Sequence, residues 1–435
     1  MKYVSTRGNA PAIGLGAALA AGLAPDGGLY VPQVLPRFSP EDFDGCDTLA
    51  SVAERLLQPF FEGDALAAHL GTLCAETLDA PAPLRALKPA RTHLLELFHG
   101  PTAAFKDFGA RFLAACLARS RSENARELTV LVATSGDTGA AVAAAFHRRP
   151  GFRVVILYPD GRVSPRQAHQ LGCFGDNVVA LRVAGAFDDC QALVKQALND
   201  EALKAFVPLT SANSISLGRL LPQMTYYAHA SLTHRRMHRD ALHFVIPTGN
   251  LGNALGCLLA RALGLPIGDV VLATNANRVL ADFFAGGDYA PRASIATLAN
   301  AMDVGAPSNF ERLRWLYPQE TGMRAALHAE AVDDAQIREV IRLSEKRYGC
   351  VVCPHTATAL CVLEQLRAAD EWRDHAVVST AHPAKFDTVI EPLIGTRIEV
   401  PPALASLLDR PAQAEPIAAD YAALRRRLAH PASRA

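Results

Sequence analysis

A lysine lies among aromatic and small residues in segment 98–109, whose sequence is F-H-G-P-T-A-A-F-K-D-F-G. Burial disfavours the charged ammonium form of a lysine and lowers its pKa, which makes the amine nucleophilic. Lys106 is therefore a candidate for a lysine that forms a Schiff base with a carbonyl compound. The segment also fits an ordinary helix start, at which Lys106 extends towards solvent and pairs with Asp107.

Two glycine-containing turns could bind anions. Residues 134–139 (T-S-G-D-T-G) and 247–253 (P-T-G-N-L-G-N) each follow a predicted strand and open a predicted helix. Backbone N–H groups at such turns can bind a phosphate, and hydroxyl or amide side chains add hydrogen bonds. Asp137 would repel a phosphate, so we expect it to contact a different group. The second turn matches neither a Walker A loop nor a dinucleotide-binding pattern. Either turn could also be a plain connection with a capping residue.

Two further segments place polar side chains beside predicted helices. In residues 211–219 (S-A-N-S-I-S-L-G-R), Asn213, Ser214 and Arg219 could bind a second anion, with the arginine giving a charge-assisted pair. Helix capping plus a surface arginine is the alternative. Residues 379–386 (S-T-A-H-P-A-K-F) end the last predicted strand, where a hydroxyl could contact a neutral heteroaromatic nitrogen. A structural role is expected for His382.

The elements that must position these motifs alternate between short apolar strands and helices. Because such strands imply parallel sheets covered on both faces, and because the pattern spans more than half the chain, we expect two α/β lobes. Ligands of open parallel sheets bind beyond the carboxyl ends of the strands, which is where the motifs lie. A long helix is predicted over 216–229, and strands are predicted over 129–134, 153–158, 178–183, 243–246, 270–274, 350–353 and 376–379.

The amino-acid composition and charge of the chain argue against several classes of function. The chain has 43 Lys and Arg against 43 Asp and Glu, which argues against a nucleic-acid binder or a polybasic membrane-surface protein. No apolar run reaches the roughly 18–20 residues of a membrane span. The nine scattered cysteines indicate free thiols in a reducing compartment, so a cytoplasmic location is expected. The C-x-x-C spacing at 350–353 falls in a predicted strand that would point the two thiols to opposite faces, and no metal site is expected.

Together the motifs resemble the threonine synthase family, pyridoxal-phosphate-dependent enzymes of the fold-type II (tryptophan synthase beta-like) group. H-G-P-T-x-A-F-K-D at 99–107 and S-G-D-T-G at 135–139 are the most specific matches. Further ordered matches lie at 5–8, 25–32, 161–167, 187–191, 213–219, 247–253, 273–275, 300–304 and 380–386. The resemblance implies two lobes with open, mostly parallel twisted sheets flanked by helices, plus an N-terminal α/β extension.

The resemblance also implies roles for the motif residues. Lys106 corresponds to the lysine that bonds pyridoxal 5'-phosphate, Asp137 to a side chain near the cofactor's 3-hydroxyl, and Thr380 to the partner of its pyridine nitrogen. The loop that would bind the cofactor phosphate comprises Gly249, Asn250, Leu251, Gly252 and Asn253. The substrate and its phosphate would contact Thr134, Ser135, Thr138, Asn213, Ser214 and Arg219.

The implied reaction converts O-phospho-L-homoserine and water to L-threonine and phosphate, the last step of threonine biosynthesis. Two alternatives remain at this point: a phospho-lyase or dehydratase that uses the same cofactor and gives 2-oxobutanoate, and a non-catalytic binding protein of the same family. The expected partner is the small-molecule substrate, with no nucleic acid or membrane. The chain is expected to act as a monomer or homodimer.

The chain departs from the family pattern at a few positions. Ser216 stands where the family usually has Asn, Leu251 where it has Phe, and Arg278 where it commonly has Asp. We expect these changes to affect substrate contacts more than the reaction class. The predicted domains are an N-terminal subdomain over 1–80, a large cofactor-binding lobe from 81–106 and 236–435, and a smaller mobile lobe over 107–235.

Overall fold

Thirteen strands are present in the computed structural model, which describes residues 1–122 and 124–429. They are β1 (Tyr3–Ser5), β2 (Tyr30–Pro32), β3 (Leu84–Ala86), β4 (Thr92–Glu96), β5 (Leu128–Ala133), β6 (Phe152–Pro159), β7 (Val178–Ala184), β8 (Leu209–Ser211), β9 (Leu242–Pro247), β10 (Ile267–Thr274), β11 (Leu327–Ala331), β12 (His375–Ser379) and β13 (Glu415–Ala418).

The α-helices fall between and around these strands. They are α1 (Leu15–Ala21), α2 (Leu49–Phe61), α3 (Leu70–Thr77), α4 (Lys106–Ser120), α5 (Asp137–Phe146), α6 (Pro165–Gly172), α7 (Phe187–Asn199), α8 (Glu201–Lys204), α9 (Leu217–Leu220), α10 (Gln223–His238), α11 (Gly252–Ala262), α12 (Val279–Phe284), α13 (Phe310–Leu316), α14 (Glu320–Ala326), α15 (Asp334–Tyr348), α16 (Pro354–Ala368), α17 (Asp387–Ile394), α18 (Pro402–Leu408) and α19 (Tyr421–Ala429). Short 3-10 turns occupy Pro40–Phe43, Ala65–His69, Asn300–Met302 and Pro383–Phe386.

Two open sheets organise the described chain. The first has six strands in the order β11-β10-β9-β12-β4-β3, parallel except where β3 pairs with β4. The second has five parallel strands in the order β13-β7-β6-β5-β8. A separate antiparallel pair, β1 and β2, belongs to the N-terminal extension. The predicted fold class, two mostly parallel sheets flanked by helices, is confirmed.

Central strands are buried along their whole length, which explains their continuous apolar sequence. Every residue of β5, β6, β9 and β12 is buried. A strand covered by helices on both faces has no solvent side, so polar alternation is absent. Six of the seven strands predicted from apolar runs accordingly lie within a few residues of observed ones, β5, β6, β7, β9, β10 and β12. By contrast β3, β4, β8, β11 and β13 had no predicted counterpart, because they are short or carry polar residues.

Two element predictions were wrong. Residues 350–353 do not form a strand; they lead into α16, where Cys353 caps the helix and Pro354 occupies its first turn. The long helix predicted over 216–229 is divided into α9 and α10, with Pro222 as the residue before α10. Proline has no N–H for the helical ladder and its ring clashes with the preceding turn, so the chain restarts the helix there.

The predicted domain boundaries stay a prediction. The strand β13, from the C-terminal segment assigned to the large lobe, pairs with β7 in the second sheet. The apolar side chains between the sheets and helices form a continuous core that also includes α2 and α3 of the N-terminal extension. None of the helices in the described ranges is long and apolar enough to cross a membrane.

Candidate active site

Two adjoining clefts open at the carboxyl ends of the strands. The inner cleft has about 600 Å³ of empty space and is lined by Phe105, Lys106, Asp137, Ser214, Arg219, Gln223, Pro247, Thr248, Gly249, Asn250, Leu251, Gly252, Asn253, Ala301, Met302, His355 and Thr380. The outer cleft, about 1580 Å³, is lined by residues that include Arg7, Lys106, Thr134, Ser135, Thr138, Gln191, Lys195, Asn213, Ser214, Asn250, Ala301, Ser308 and Glu311. The structure therefore brings every predicted site residue to one of two neighbouring cavities.

Lys106 lies at the junction of the two clefts, as the first residue of α4. The backbone before it is held to the end of β12, since the Phe105 N–H donates to the Thr380 carbonyl at 2.8 Å. Burial lowers the pKa of Lys106 to about 7; the charges of Arg219 and Lys385 act in the same direction and Asp137 opposes them. A large fraction of its amine is therefore neutral near neutral pH.

The alternative in which Lys106 pairs with Asp107 does not fit the geometry. The buried Asp107 carboxylate accepts the Thr102 N–H at 2.8 Å and the Thr102 hydroxyl at 2.6 Å. These hydrogen bonds close the H-G-P-T turn onto the start of α4. Asp107 is thus a structural residue that fixes the turn, and Lys106 is left facing the clefts.

Asp137 forms a buried ion pair that the sequence analysis did not predict. The Lys385 Nζ lies 2.8 Å from Asp137 Oδ1 and also donates to the Thr102 carbonyl at 2.7 Å. The Gln167 amide donates to the same carboxylate at 3.0 Å. Burial by itself would raise the pKa of Asp137, but the charge of Lys385 and these hydrogen bonds hold it below its ordinary value. A lysine within an apolar A-H-P-A-K-F run was the signal that could have identified Lys385.

The predicted phosphate loop connects β9 to α11. Leu251 adopts φ 62° before the helix begins at Gly252. A Cβ at Gly249 would lie 2.8 Å from the Met302 Cα, so glycine allows the loop to contact that backbone. Asn253 accepts hydrogen bonds from two tyrosine hydroxyls, whereas its buried Nδ2 has no partner in the described structure. The loop thus presents helix N-terminal N–H groups and a free amide donor to the inner cleft.

Arg219 lines the inner cleft with this loop and does not line the outer cleft. Its side chain is buried, and its Nη1 donates to the Ala212 carbonyl at 2.8 Å. Its Nε has no partner among the described atoms. Burial lowers the pKa of Arg219 to about 10, which leaves the guanidinium charged at neutral pH.

The outer cleft contains Thr134, Ser135, Thr138 and Asn213, and Ser214 lines both clefts. The Thr134 hydroxyl accepts the N–H groups of Gly136 at 3.0 Å and Gly139 at 2.9 Å, so it also shapes the S-G-D-T-G turn. Two cations that the sequence analysis missed, Arg7 and Lys195, lie in this lining. Arg7 lies within the family match at 5–8 and Lys195 follows the match at 187–191, but neither residue was assigned a role in the site from the sequence.

Thr380 lines the inner cleft together with His355. His355 accepts the Ala301 N–H through Nε2 at 3.1 Å, and burial lowers its pKa to about 4, so the ring is neutral. Of the departures from the family pattern, Leu251 is buried, the Ser216 hydroxyl is buried without a partner in the described structure, and Arg278 pairs with Asp282 away from the clefts.

These groups fit pyridoxal phosphate. A phosphate beside α11 would satisfy the two buried donors that have no partner, Arg219 Nε and Asn253 Nδ2. Lys106 offers an amine whose pKa is lowered to about 7, and Thr380, which directly follows β12, offers a hydroxyl in the same cleft. The residues would accordingly accept a small anionic carbonyl compound in the inner cleft.

Comparisons with known proteins agree with this chemistry. Residues 78–383 match the family model of the pyridoxal-phosphate-dependent enzymes, residues 2–78 the threonine synthase N terminus, and residues 356–427 the threonine synthase C-terminal model. A threonine synthase of Escherichia coli (strain K12) is 38% identical over 428 residues, which is 98% of this chain and 99% of that protein.

Solved structures give the same relationship. The crystal structure of threonine synthase from Escherichia coli has a TM-score of 0.91 at 38% identity and covers 98% of this chain and 99% of its own. The pyridoxal-phosphate-bound threonine synthase from Brucella melitensis has a TM-score of 0.89 at 33% identity, with 98% of both chains covered. The chain therefore belongs to the threonine synthase family of pyridoxal-phosphate-dependent enzymes.

Proposed function

We propose that this protein converts O-phospho-L-homoserine and water to L-threonine and phosphate, the last step of threonine biosynthesis. The observation that carries the proposal is the position of Lys106 between two clefts, each with its own groups for an anion. One anion is the phosphate of the cofactor and the other is the phosphate of the substrate. Family membership over nearly the full length supports the same reaction.

The inner cleft would hold pyridoxal phosphate, which when bound supplies an electron sink for negative charge that develops on the substrate. The loop 249–253 and Arg219 would bind its phosphate, and Thr380 would contact its pyridine nitrogen. This assigns Arg219 to the cofactor, in place of the substrate role expected from sequence, because it shares a cavity with the loop. Asp137, held ionised by Lys385, would lie near the cofactor's 3-hydroxyl.

Lys106 would move the protons of the reaction. Its neutral Nζ removes one proton from the substrate Cα and then one from Cβ, and one proton is returned to each of Cγ and Cα. The Cγ–O bond breaks and the phosphate leaves with the bonding electrons. Water adds to Cβ as a hydroxyl group, and its second proton goes to the released phosphate. One amine can perform these steps in turn because burial keeps its pKa near neutrality.

The outer cleft would bind the substrate's phosphate. Ser135, Thr138 and Asn213 offer hydroxyl and amide groups, and Lys195 offers a charge on the same lining. The helix α5 begins directly after Gly136. Its first N–H groups therefore contribute a positive electrostatic potential at this end of the cleft, which favours an anion.

The deciding experiment is a product assay of the cofactor-loaded protein with O-phospho-L-homoserine. We expect phosphate and threonine in equal amounts. The Lys106→Ala variant should lose at least about 10⁴-fold in kcat, since it lacks both the nucleophile and the proton carrier. Full activity of that variant would contradict the proposed role.

The two alternatives have distinct outcomes in the same assay. Phosphate with 2-oxobutanoate and ammonia would identify a phospho-lyase. Bound cofactor without turnover of the substrate would identify a non-catalytic binding protein.

We also propose that the enzyme acts in the cytoplasm, as a monomer or homodimer. All nine cysteines are free, and seven of them are buried. This supports a reducing compartment. Size-exclusion chromatography with light scattering would measure the oligomeric state.

A further inference from the structure

A second cluster of chemically active side chains lies at the opposite end of the first sheet from the clefts. His93 is near the start of β4, Asp374 immediately precedes β12, and His234 is near the end of α10. Asp374 and Thr380 are separated by the length of β12, roughly 20 Å at about 3.3 Å per residue. The cluster is therefore separate from the site that binds cofactor and substrate.

The ligand atoms of these three residues converge. Their candidate atoms all lie within 4.8 Å of one another. The His93 Nε2 is 3.1 Å from Asp374 Oδ1, and the His234 Nε2 is 3.9 Å from the same oxygen. Ligands about 2.0–2.2 Å from a tetrahedral Zn²⁺ are roughly 3.3–3.5 Å apart, so a small movement of side chains would complete the geometry.

One ring nitrogen of the His234 imidazole is buried without a hydrogen-bond partner in the described structure. Its side chain is fully buried, and its Nδ1 lies 3.3 Å from the Asp240 carbonyl, which can only accept a hydrogen bond. Nδ1 therefore carries the proton. With the proton on Nδ1, Nε2 holds a lone pair. This Nε2 has no hydrogen-bond partner in the described structure and faces a carboxylate oxygen.

His234 Nε2 and Asp374 Oδ1 are both acceptors, and only the oxygen has a hydrogen-bond partner in the described structure, His93 Nε2 at 3.1 Å. A cation between the three atoms would give the buried His234 Nε2 a partner. We propose that His93, His234 and Asp374 bind a divalent transition-metal ion of the Zn²⁺ class. Two imidazole nitrogens and one carboxylate oxygen are a ligand set that suits this class. The Asp240 carbonyl orients the His234 ring through Nδ1, which is the usual role of a group behind a metal-bound histidine.

A fourth ligand is available on the same helix face. His238 follows His234 by four residues, and their ring centroids are 4.5 Å apart. Residues spaced by four lie on one side of a helix, so His238 can turn towards the ion, or water can take that position. The bound ion would link the end of α10 to the starts of the neighbouring strands β4 and β12. This proposal departs from the sequence analysis, which expected no metal.

The test is Zn²⁺ binding to the cofactor-loaded protein, measured by competition with a chromogenic chelator, with the cofactor absorbance followed in parallel. We expect one high-affinity Zn²⁺ per chain. The variants His93→Gln and His234→Gln should each weaken binding about 100-fold, a loss of the size seen when metal sites lose a supporting group. The matched control is His328→Gln, because His328 is an exposed histidine paired with Glu330 in β11.

Three outcomes would overturn the proposal: no Zn²⁺ uptake at micromolar free metal, equal affinity in wild type and His93→Gln, or equal loss in His328→Gln. If the variants fail to fold, the absorbance spectrum of Co²⁺ bound to the wild-type protein tests the site instead. Co²⁺ bound by nitrogen and oxygen ligands gives visible d–d bands and no strong charge-transfer band from sulfur. A strong sulfur band would place the ion on cysteines and refute the site.

Discussion

Lys106 and Lys385 are two of only seven lysines in the chain, and their surroundings differ in one respect. Lys385 is paired with the buried carboxylate of Asp137, whereas none of the ion pairs among described residues includes Lys106. The unpaired amine of Lys106 can lose its proton, whereas the amine of Lys385 is held against a buried carboxylate. An arginine could not replace Lys106 as nucleophile or as proton carrier, because its side chain cannot be deprotonated in a protein.

The lowered pKa of Lys106 predicts how the rate of cofactor uptake depends on pH. Only the neutral amine of Lys106 attacks a carbonyl, and its pKa is lowered from 10.5 to about 7. Uptake of pyridoxal phosphate by cofactor-free protein should therefore be near maximal above pH 7 and fall by up to about tenfold per pH unit below it. Stopped-flow absorbance would measure the rate constant, after correction for the cofactor's own ionisation in a parallel reaction with a model amine. A midpoint near 10 would mean that Lys106 is solvated.

The second residue-scale prediction concerns the buried pair. Lys385→Met leaves the Asp137 carboxylate without its partner, so we expect a loss of about 3–5 kcal/mol in the free energy of unfolding. Urea unfolding of the cofactor-free protein would measure it. The double variant Lys385→Met with Asp137→Asn is the control and should recover a substantial part of the loss, because no buried charge remains. An unchanged single variant would refute the ion pair.

At the scale of elements, the inner cleft depends on two backbone segments that contact each other. The loop between β9 and α11 contacts the 3-10 turn Asn300–Met302 through Gly249. The neighbouring Gly252 is different, since a Cβ there would find side-chain and backbone atoms no closer than 3.5 Å. The two glycines therefore serve different purposes, although the sequence motif presents them as equivalent.

This difference predicts opposite results for two alanine variants. Gly249→Ala should destabilise the cofactor-free protein by about 1–3 kcal/mol, because backbone atoms of Met302 must move. Gly252→Ala should change stability by less than about 0.5 kcal/mol, since its Cβ has ordinary contacts at the start of a helix. Thermal unfolding followed by circular dichroism would compare them. Equal destabilisation would contradict the assigned packing.

At the level of the whole molecule, the start of α6, from the lobe of the second sheet, contacts the 3-10 turn Pro383–Phe386 and the first residue of α17. The Ser164 hydroxyl donates to the Lys385 carbonyl at 2.8 Å. Arg166 donates to the Ala384 carbonyl at 2.6 Å and pairs with Asp387 at 3.1 Å. These contacts join the two sheets beside the ion pair of Lys385, so the relative position of the lobes and the shape of the clefts are coupled.

The coupling predicts the effect of Arg166→Ala. Without these contacts the lobes should spend less time in the arrangement that forms both clefts, which reduces apparent substrate affinity. We expect KM for O-phospho-L-homoserine to rise about 5–10-fold with little change in kcat, since one partly exposed charge-assisted contact contributes about 1–1.5 kcal/mol. Arg148→Ala is the matched control, because its pair with Asp176 lies on the surface. A KM equal to that of the control would show that the contact has no influence on binding.

Much of the fold and site could be predicted from sequence, because the signals are local. The apolar runs of β5, β6 and β9 predicted buried parallel strands, and the motifs at their ends predicted where ligands bind. Lys106 and the loop 249–253 could be identified for the same reason: a contiguous segment carries its own backbone geometry. Short polar strands such as β11 could not, since only their neighbours in the sheet make them strands.

The amino-acid sequence is sufficient to identify the family, Lys106 as the candidate for the lysine that bonds the cofactor, and the order of the motifs along the chain. Which side chains contact each other follows from the three-dimensional arrangement. Lys385 reaches Asp137, Arg219 joins the phosphate loop, and His93 lies beside Asp374, 281 positions further along the chain. The physical reason is that crossover connections place distant strands side by side. A contact across such a sheet depends on strand order and burial, which no short segment encodes.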